Sequence, residues 1–316
     1  MKFVCFERDG TRRLGILTAR EVVDLWSLGA SHALPQAARS DLAALIRSGR
    51  AALDAVRELA ETAPPEARLP LSDVSILAPL LPSTILCAGS NYHDHNSEKA
   101  GTPISGTEPE FFVKTSDCVI GPNAAILFDP ILTRKLDCET ELAVVIGKSG
   151  RHIPVERALE HVFGYTIVND VTARDRQVRT SPTGFTWYEL GRGKAFDTSA
   201  PLGPVVVTAD EIGDPQALAL RTRINGELRQ SASTADMIWT CAELVHFFSI
   251  NFELRPGMVI ITGTPAGTAW STDGELGGRW KAQPGLVPAK RYCFPGDVIE
   301  CEIDGIGTLV NHVSAA

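Results

Sequence analysis

Leu136-Asp137-Cys138-Glu139-Thr140-Glu141-Leu142-Ala143-Val144-Val145-Ile146 is the stretch from which the rest of the chain can be placed. Its second half, Ala143 to Ile146, is apolar at every position, as in a strand buried on both faces. Its first half sets acids at Asp137, Glu139 and Glu141, alternate positions that a strand projects to one face, with Cys138 sent to the opposite face as core packing. Glu139 and Glu141 would stand roughly 6–7 Å apart along such a strand, close enough to grip one cation. A second apolar run, Gly164-Tyr165-Thr166-Ile167-Val168-Asn169, ends on Asp170. Three carboxylates at the mouths of two buried strands repel one another, and a divalent ion would offset the repulsion. The competing reading is a set of solvated acids at the wet end of a strand, where Asp and Glu usually lie.

Outward from these strands, short apolar runs punctuated by Gly and Pro recur from Asp73 onward, as expected of a β-rich domain. Strands are predicted over 85–88, 111–114, 142–146, 164–169, 204–207, 219–225, 258–262, 298–303 and 307–312, with helices near 155–162 and 235–249. Asp304-Gly305 is a hairpin signal between the last two strands. Residues 1–75 read as a small α/β domain. A hairpin turns at Asp9-Gly10, helices follow over 41–47 (with Asp41 as cap) and 51–60, and a Pro-containing linker runs from Ala63 to Pro70. The expected fold class is α+β and β-rich, with residues 76–316 as the main domain.

Composition sets bounds. The chain has 316 residues, 44% hydrophobic and 22% charged, ordinary for a globular protein with a sizeable core. A net charge of −8 without any basic run argues against nucleic acid or an anionic membrane as partner. The N-terminus lacks a secretory apolar core, and no apolar run reaches the roughly 18–20 residues that span a bilayer. Seven cysteines without a C-x-x-C pair read as reduced thiols, so a cytoplasmic protein is expected.

Four further stretches carry candidate chemistry. In Asn91-Tyr92-His93-Asp94-His95-Asn96-Ser97-Glu98, a loop or single helical turn makes His95 and Glu98 neighbours. A carboxylate beside an imidazole orients it and raises its basicity. A chance pair on a surface loop is the alternative, and zinc is disfavoured because no Cys or further His lies at ligand spacing. Val171 to Gln177 supplies Arg174 and Gln177, able to hold a carboxylate beside a metal, or simply forms a solvated helix start. Gly193-Lys194-Ala195-Phe196-Asp197 offers a lysine in a tight turn but is no P-loop. Thr262-Gly263-Thr264-Pro265-Ala266-Gly267 is a Gly/Pro turn of the kind that cradles anions, though it could equally be only a turn.

Taken in order, these motifs resemble the fumarylacetoacetate hydrolase family, acylpyruvase-like or 2-hydroxyhepta-2,4-diene-1,7-dioate isomerase-like branch, from about Ile85 to Val313. The likeness also draws on Phe112-x-Lys114, Pro201-Leu202-Gly203-Pro204, Asn225-Gly226-Glu227, Pro256-Gly257 and Gly305-x-Gly307-x-Leu309-x-Asn311. It implies a mixed β-roll, a homodimer, and Mg²⁺ or Mn²⁺ held by Glu139, Glu141 and Asp170. His95 and Glu98 match the family's base and its orienting carboxylate, and Lys194 a catalytic cation. Tyr92, Arg174, Gln177 and Thr264 fall at substrate positions. Fumarylacetoacetases proper carry a further acid near Asn91, so asparagine there points to the acylpyruvase-like branch. The segment Trp270 to Phe294 is long for the family and is expected to wall the distal acyl group, with a surface insertion or dimer contact as the alternative.

The resemblance implies a metal-dependent hydrolase cleaving a C–C bond in a 2,4-dioxo acid of the acylpyruvate type. His95 would activate water, while the metal and Lys194 stabilise the pyruvate enolate. Decarboxylation, isomerisation or dehydration of a related 2-oxo acid passes through the same enolate. A non-catalytic, metal-stabilised binding protein is the rival class, against which the His95–Glu98 pair speaks.

Overall fold

The computed structural model describes residues 1–28, 34–99 and 106–316. The strand Thr140–Ile146 is buried at every position. It lies between Val162–Asn169 and Val259–Ile261, antiparallel to both. Its alternate side chains enter two separate cores: Leu142, Val144 and Ile146 pack on one face, Ala143 and Val145 on the other. Both faces are dry, which is why the run lacks polar alternation.

Around it the main sheet runs Arg68–Pro70, Glu21–Asp24, Thr11–Leu17, Lys2–Arg8, Ala200–Thr208, Val162–Asn169, Thr140–Ile146, Val259–Ile261, Ile85–Gly89 and Glu110–Lys114. Lys2–Arg8 pairs with Ala200–Thr208, so the strands of the first 75 residues extend this sheet. A second sheet has the order Glu227–Ser233, Ala219–Ile224, Val298–Ile303, Gly307–Ala315 and Ala125–Phe128. Parallel pairing of Val259–Ile261 with Ile85–Gly89, amid antiparallel neighbours, makes the main sheet mixed. The β-rich α+β class is the observed one. No helix among the described residues is long and apolar enough to cross a membrane.

Local chemistry explains most boundaries. Asp9 and Gly10 both take positive φ, 52° and 68°, the geometry of a two-residue hairpin turn. Asp41 caps Leu42–Arg47 by accepting from the N–H groups of Ala43 and Ala44. Two helical expectations are corrected. Residues 155–161 form a 3₁₀ turn rather than an α-helix. The run 235–249 is divided: a short turn at Thr234–Asp236 ends, and a new helix, Cys241–Asn251, starts from a capping box of Thr240 and Glu243. Strands that went unpredicted include Glu21–Asp24, Arg68–Pro70, Ala125–Phe128, the Val178–Thr180 and Thr186–Tyr188 hairpin and the polar Glu227–Ser233.

The acids of the opening stretch do not all share one face. Pairing breaks between Leu136–Asp137 and Thr140–Ile146. Asp137 stands apart from the cluster of Glu139, Glu141 and Asp170, held by Arg174, which it shares with Glu139, as described below. Register places Thr140 opposite Asn169, and the Asp170 N–H donates to the Glu139 carbonyl at 2.9 Å. The ends of the two central strands are thus locked together where the remaining acids emerge.

Candidate active site

Glu139, Glu141 and Asp170 are buried, and each offers a carboxylate oxygen within 4.8 Å of the others. Glu141 Oε2 accepts from the Gly263 N–H at 2.6 Å. Burial, then the charges of Asp170 and Glu139, push the Glu141 carboxyl well above its ordinary range. Burial acts on Glu139 in the same direction, but Arg174 and Lys194 outweigh it and hold that carboxyl below the usual range. Asp170 Oδ1 lies 2.9 Å from Lys114 Nζ yet accepts no hydrogen bond. A clustered, oxygen-only donor set fits a hard divalent cation and disfavours zinc.

Cations line this cluster. Lys194, at the end of the short helix Leu190–Lys194, donates to Glu139 Oε2 at 2.5 Å and Asp170 Oδ2 at 2.6 Å. Burial disfavours its charge, but Asp170 and Glu139 outweigh that, and its pKa is raised. Arg174 is fully buried and spends its guanidinium inside the protein. Nε donates to Asp137 at 2.8 Å, one terminal nitrogen to Gln177 at 2.9 Å and the other to Glu139 at 2.5 Å. Lys114 Nζ reaches the carbonyl and hydroxyl oxygens of Ser199 at 2.8 and 2.9 Å and also the Lys194 carbonyl. It therefore ties the strand Glu110–Lys114 to both Asp170 and the Lys194 turn.

His95 and Glu98 stand on and just after the short helix His93–Ser97, with Nδ1 3.3 Å from Glu98 Oε2. The other Glu98 oxygen accepts from the Gly267 N–H at 2.9 Å. Burial raises the Glu98 carboxyl to about 8. Burial, then the charge of Lys99, holds His95 well below its ordinary value, so the imidazole is neutral. The N–H groups of the Gly/Pro turn are directed at two carboxyl groups of the chain itself, Glu141 and Glu98. Gly263 and Gly267 both need positive φ, 87° and 107°. A Cβ at Gly267 would come within 1.9 Å of the Arg229 carbonyl.

One small cavity, about 30 Å³, is lined by His95, Glu139, Glu141, Asp170, Arg174, Gln177, Lys194 and Thr264. Thr264 donates to the Thr140 carbonyl at 3.0 Å and accepts from Gln230 at 2.9 Å. Tyr92 does not line the cavity: its ring is fully buried in the apolar core, and its hydroxyl has no partner among the described residues. A substrate contact for Tyr92 does not fit that placement. Lys99, Glu110 and Tyr188 line the cavity without having been singled out from sequence. Only Lys99 left a signal there, as the residue directly after Glu98. Burial, with Arg174 and Lys194 working against Glu139, lowers its pKa to about 7.

Asp137 is a buried organiser. Besides Arg174 it accepts from the N–H groups of Cys138, Ala269 and Trp270 at 3.0, 3.0 and 3.1 Å. Trp270 presents its ring to the Arg174 guanidinium at 5.0 Å and packs edge-on to His95 at 6.4 Å. The segment from Trp270 therefore begins at the site and then divides. Its first turn stays near the site, whereas Lys281, Lys290 and Arg291 are exposed. Residues 289–293 line a different cavity of about 220 Å³, in which Cys138 and Cys293 bring their thiols to 3.5 Å.

A mixed β-rich fold that gathers a carboxylate triad and a histidine paired with Glu98 around one small cavity is the architecture of an enzyme family. The chain belongs to the fumarylacetoacetate hydrolase family: residues 84–314 match that family's fumarylacetoacetate (FAA) hydrolase C-terminal domain. Among curated relatives it is similar to oxaloacetate tautomerase YisK of Bacillus subtilis, 42% identical over 77% of this chain and 74% of the relative. It is also similar to human mitochondrial oxaloacetate tautomerase FAHD2A, 38% identical over 78% and 71%. Among solved structures it resembles a fumarylacetoacetate hydrolase from Exiguobacterium antarcticum, 38% identical over both whole chains with a TM-score of 0.76. A maleylpyruvate hydrolase from Sphingobium, solved with manganese(II) and pyruvate, is 28% identical over both whole chains with a TM-score of 0.74.

Proposed function

We propose that this protein catalyses keto–enol tautomerisation of a 2-oxo acid with an acidic C3–H, of the oxaloacetate type. The observation that carries the reading is a neutral, buried His95 paired with Glu98 in the same cavity as the carboxylate triad. An imidazole that is neutral at physiological pH can take a proton from C3 and return it to oxygen. For its Nε2 to be the basic atom, Nδ1 must carry the proton and donate it to an ionised Glu98, a state that fills as pH rises through about 8. Lys194, whose pKa is raised, keeps its charge and acts as a fixed cation near the developing enolate rather than as a base. Mg²⁺ or Mn²⁺ held by Glu139, Glu141 and Asp170 would supply Lewis-acid polarisation of the keto group. The tautomerase relatives at 38–42% identity support this chemistry.

Hydrolysis of a C–C bond in an acylpyruvate is the second reading. The same His95–Glu98 pair could take its proton from water instead of carbon, and the similar Sphingobium structure is that of a maleylpyruvate hydrolase. Two assays separate them. With Mn²⁺ or Mg²⁺, loss of enol absorbance from oxaloacetate should be accelerated more than pyruvate release from an acylpyruvate. Chelator should stop both. Faster acylpyruvate cleavage would reverse the order of the two readings, and no acceleration of either acid by any divalent metal would reject both. A homodimer is part of the proposal, supported by Phe111 and Val113, half-exposed on an outer strand of the main sheet. So is a reducing compartment such as the cytoplasm, supported by seven free, buried thiols. Sedimentation and localisation of the tagged protein test these two points.

A further inference from the structure

The small cavity at the triad shares Glu110, Tyr188 and Leu190 with a much larger chamber of about 590 Å³. We propose that this chamber seats a large, uncharged aromatic substituent on the far end of the acid, so that among 2,4-dioxo acids those ending in an aryl group are preferred over those ending in methyl. The inference rests on the reading that the site takes a 2-oxo acid.

Three observations carry it. The first is connectivity: a hairpin of Val178–Thr180 and Thr186–Tyr188 begins directly after Gln177 and ends just before the helix that bears Lys194. Its position is therefore set by two residues of the site. Near its turn Phe185 and Trp187 stack with ring centroids 6.1 Å apart and planes 18° from parallel, and they are 68% and 40% exposed. Large rings left in water at the wall of a cavity offer a face that a flat ligand can cover.

The second is an aromatic path inward from that wall. Tyr188 packs edge-on to Trp270 at 5.7 Å, and Trp270 edge-on to His95 at 6.4 Å. A substituent leaving the reacting carbon beside His95 meets flat apolar surfaces all the way out. The third is charge. Among the described residues lining the chamber, the ionisable side chains besides tyrosine are Glu110 and Glu275. Glu275 is already paired with Lys135 at 2.8 Å, so the described lining offers a second carboxylate no cation, whereas a neutral ring needs none.

The test uses two 2,4-dioxo acids with the same head, one ending in methyl and one in phenyl, on the metal-loaded full chain. Covering exposed rings and excluding water from a phenyl group favours the phenyl acid by about tenfold in kcat/KM. In the double variant Phe185→Ala, Trp187→Ala the phenyl-to-methyl ratio should fall about tenfold. Both side chains are exposed, and a melting curve checks that the fold is kept. A wild-type ratio at or below one, or a ratio unchanged by the double variant, overturns the proposal. If neither acid is turned over, the hydrolase reading fails, and the tautomerase reading is judged separately on oxaloacetate. Calorimetric Kd values for the same two acids with Mn²⁺ then decide: tighter phenyl binding lost in the variant supports the chamber, and equal affinities overturn it.

Discussion

Replacing Glu98 with Gln should make the protein more stable in alkali and far less active, and the structure gives the size of the first effect. Burial raises this carboxyl from its ordinary 4.5 to about 8, which at 1.36 kcal/mol per pH unit is about 5 kcal/mol. Because the folded state holds this proton more tightly than the unfolded chain, stability is intact below about pH 4.5. It is lost progressively as pH rises through about 8. Glutamine has the shape of the neutral acid and does not titrate. The difference in unfolding free energy between Glu98→Gln and the parent should therefore be small at pH 5 and approach about 4–5 kcal/mol in favour of the variant near pH 9. Activity should move the other way. The Gly267 N–H points at Oε1, so the glutamine must present its carbonyl there and its NH₂ to His95 Nδ1. That amide donates where the carboxylate accepts, which forces the tautomer with a proton on Nε2 and removes the base. Turnover should fall about 10²–10⁴-fold, and the parent's rise in kcat/KM toward alkaline pH should vanish in the variant. Urea titrations of both proteins from pH 5 to 9 provide the stability measurement. Parallel stability curves across that range would refute the argument, because they would mean that Glu98 is not the buried acid described.

Glu141→Gln should abolish Mn²⁺ or Mg²⁺ binding in calorimetry while far-UV circular dichroism stays that of the parent; a titration like the parent's would remove Glu141 from the cation site. His95→Ala should slow metal-dependent turnover by about 10²–10⁴-fold with metal affinity little changed, and an unaltered rate would exclude it as the base. Asp137→Ala leaves Arg174 buried with only Glu139 as a charged partner and strands two further N–H donors of the 269–270 turn, so it should cost about 3–5 kcal/mol in chemical unfolding. A loss under 1 kcal/mol would show that Asp137 does not organise the turn.

The sequence by itself determined the frame. An unbroken apolar run from Leu142 to Ile146 can only be a strand with two dry faces, and the spacing of Glu139 and Glu141, with Asp170 at the end of the next such run, already clustered three acids. Turn chemistry at Asp9-Gly10 and capping by Asp41 were equally legible, because these depend on residues within a few positions of one another. What tertiary structure decided was how each group is partnered. Periodicity put Asp137 on the face of Glu139 and Glu141, yet a break in pairing hands it to Arg174 and the 269–270 turn. The residues between Thr262 and Gly267 looked like an anion cradle, but the recipients of their N–H groups, Glu141 and Glu98, lie 122 and 169 positions away. The rise of Glu98 to about 8 and the neutrality of His95 follow from burial and neighbouring charge, which no local pattern encodes. Tyr92, four residues beyond a predicted strand and beside Asn91, faces the core for the same reason: which way a side chain turns there is set by what packs against it from distant parts of the chain.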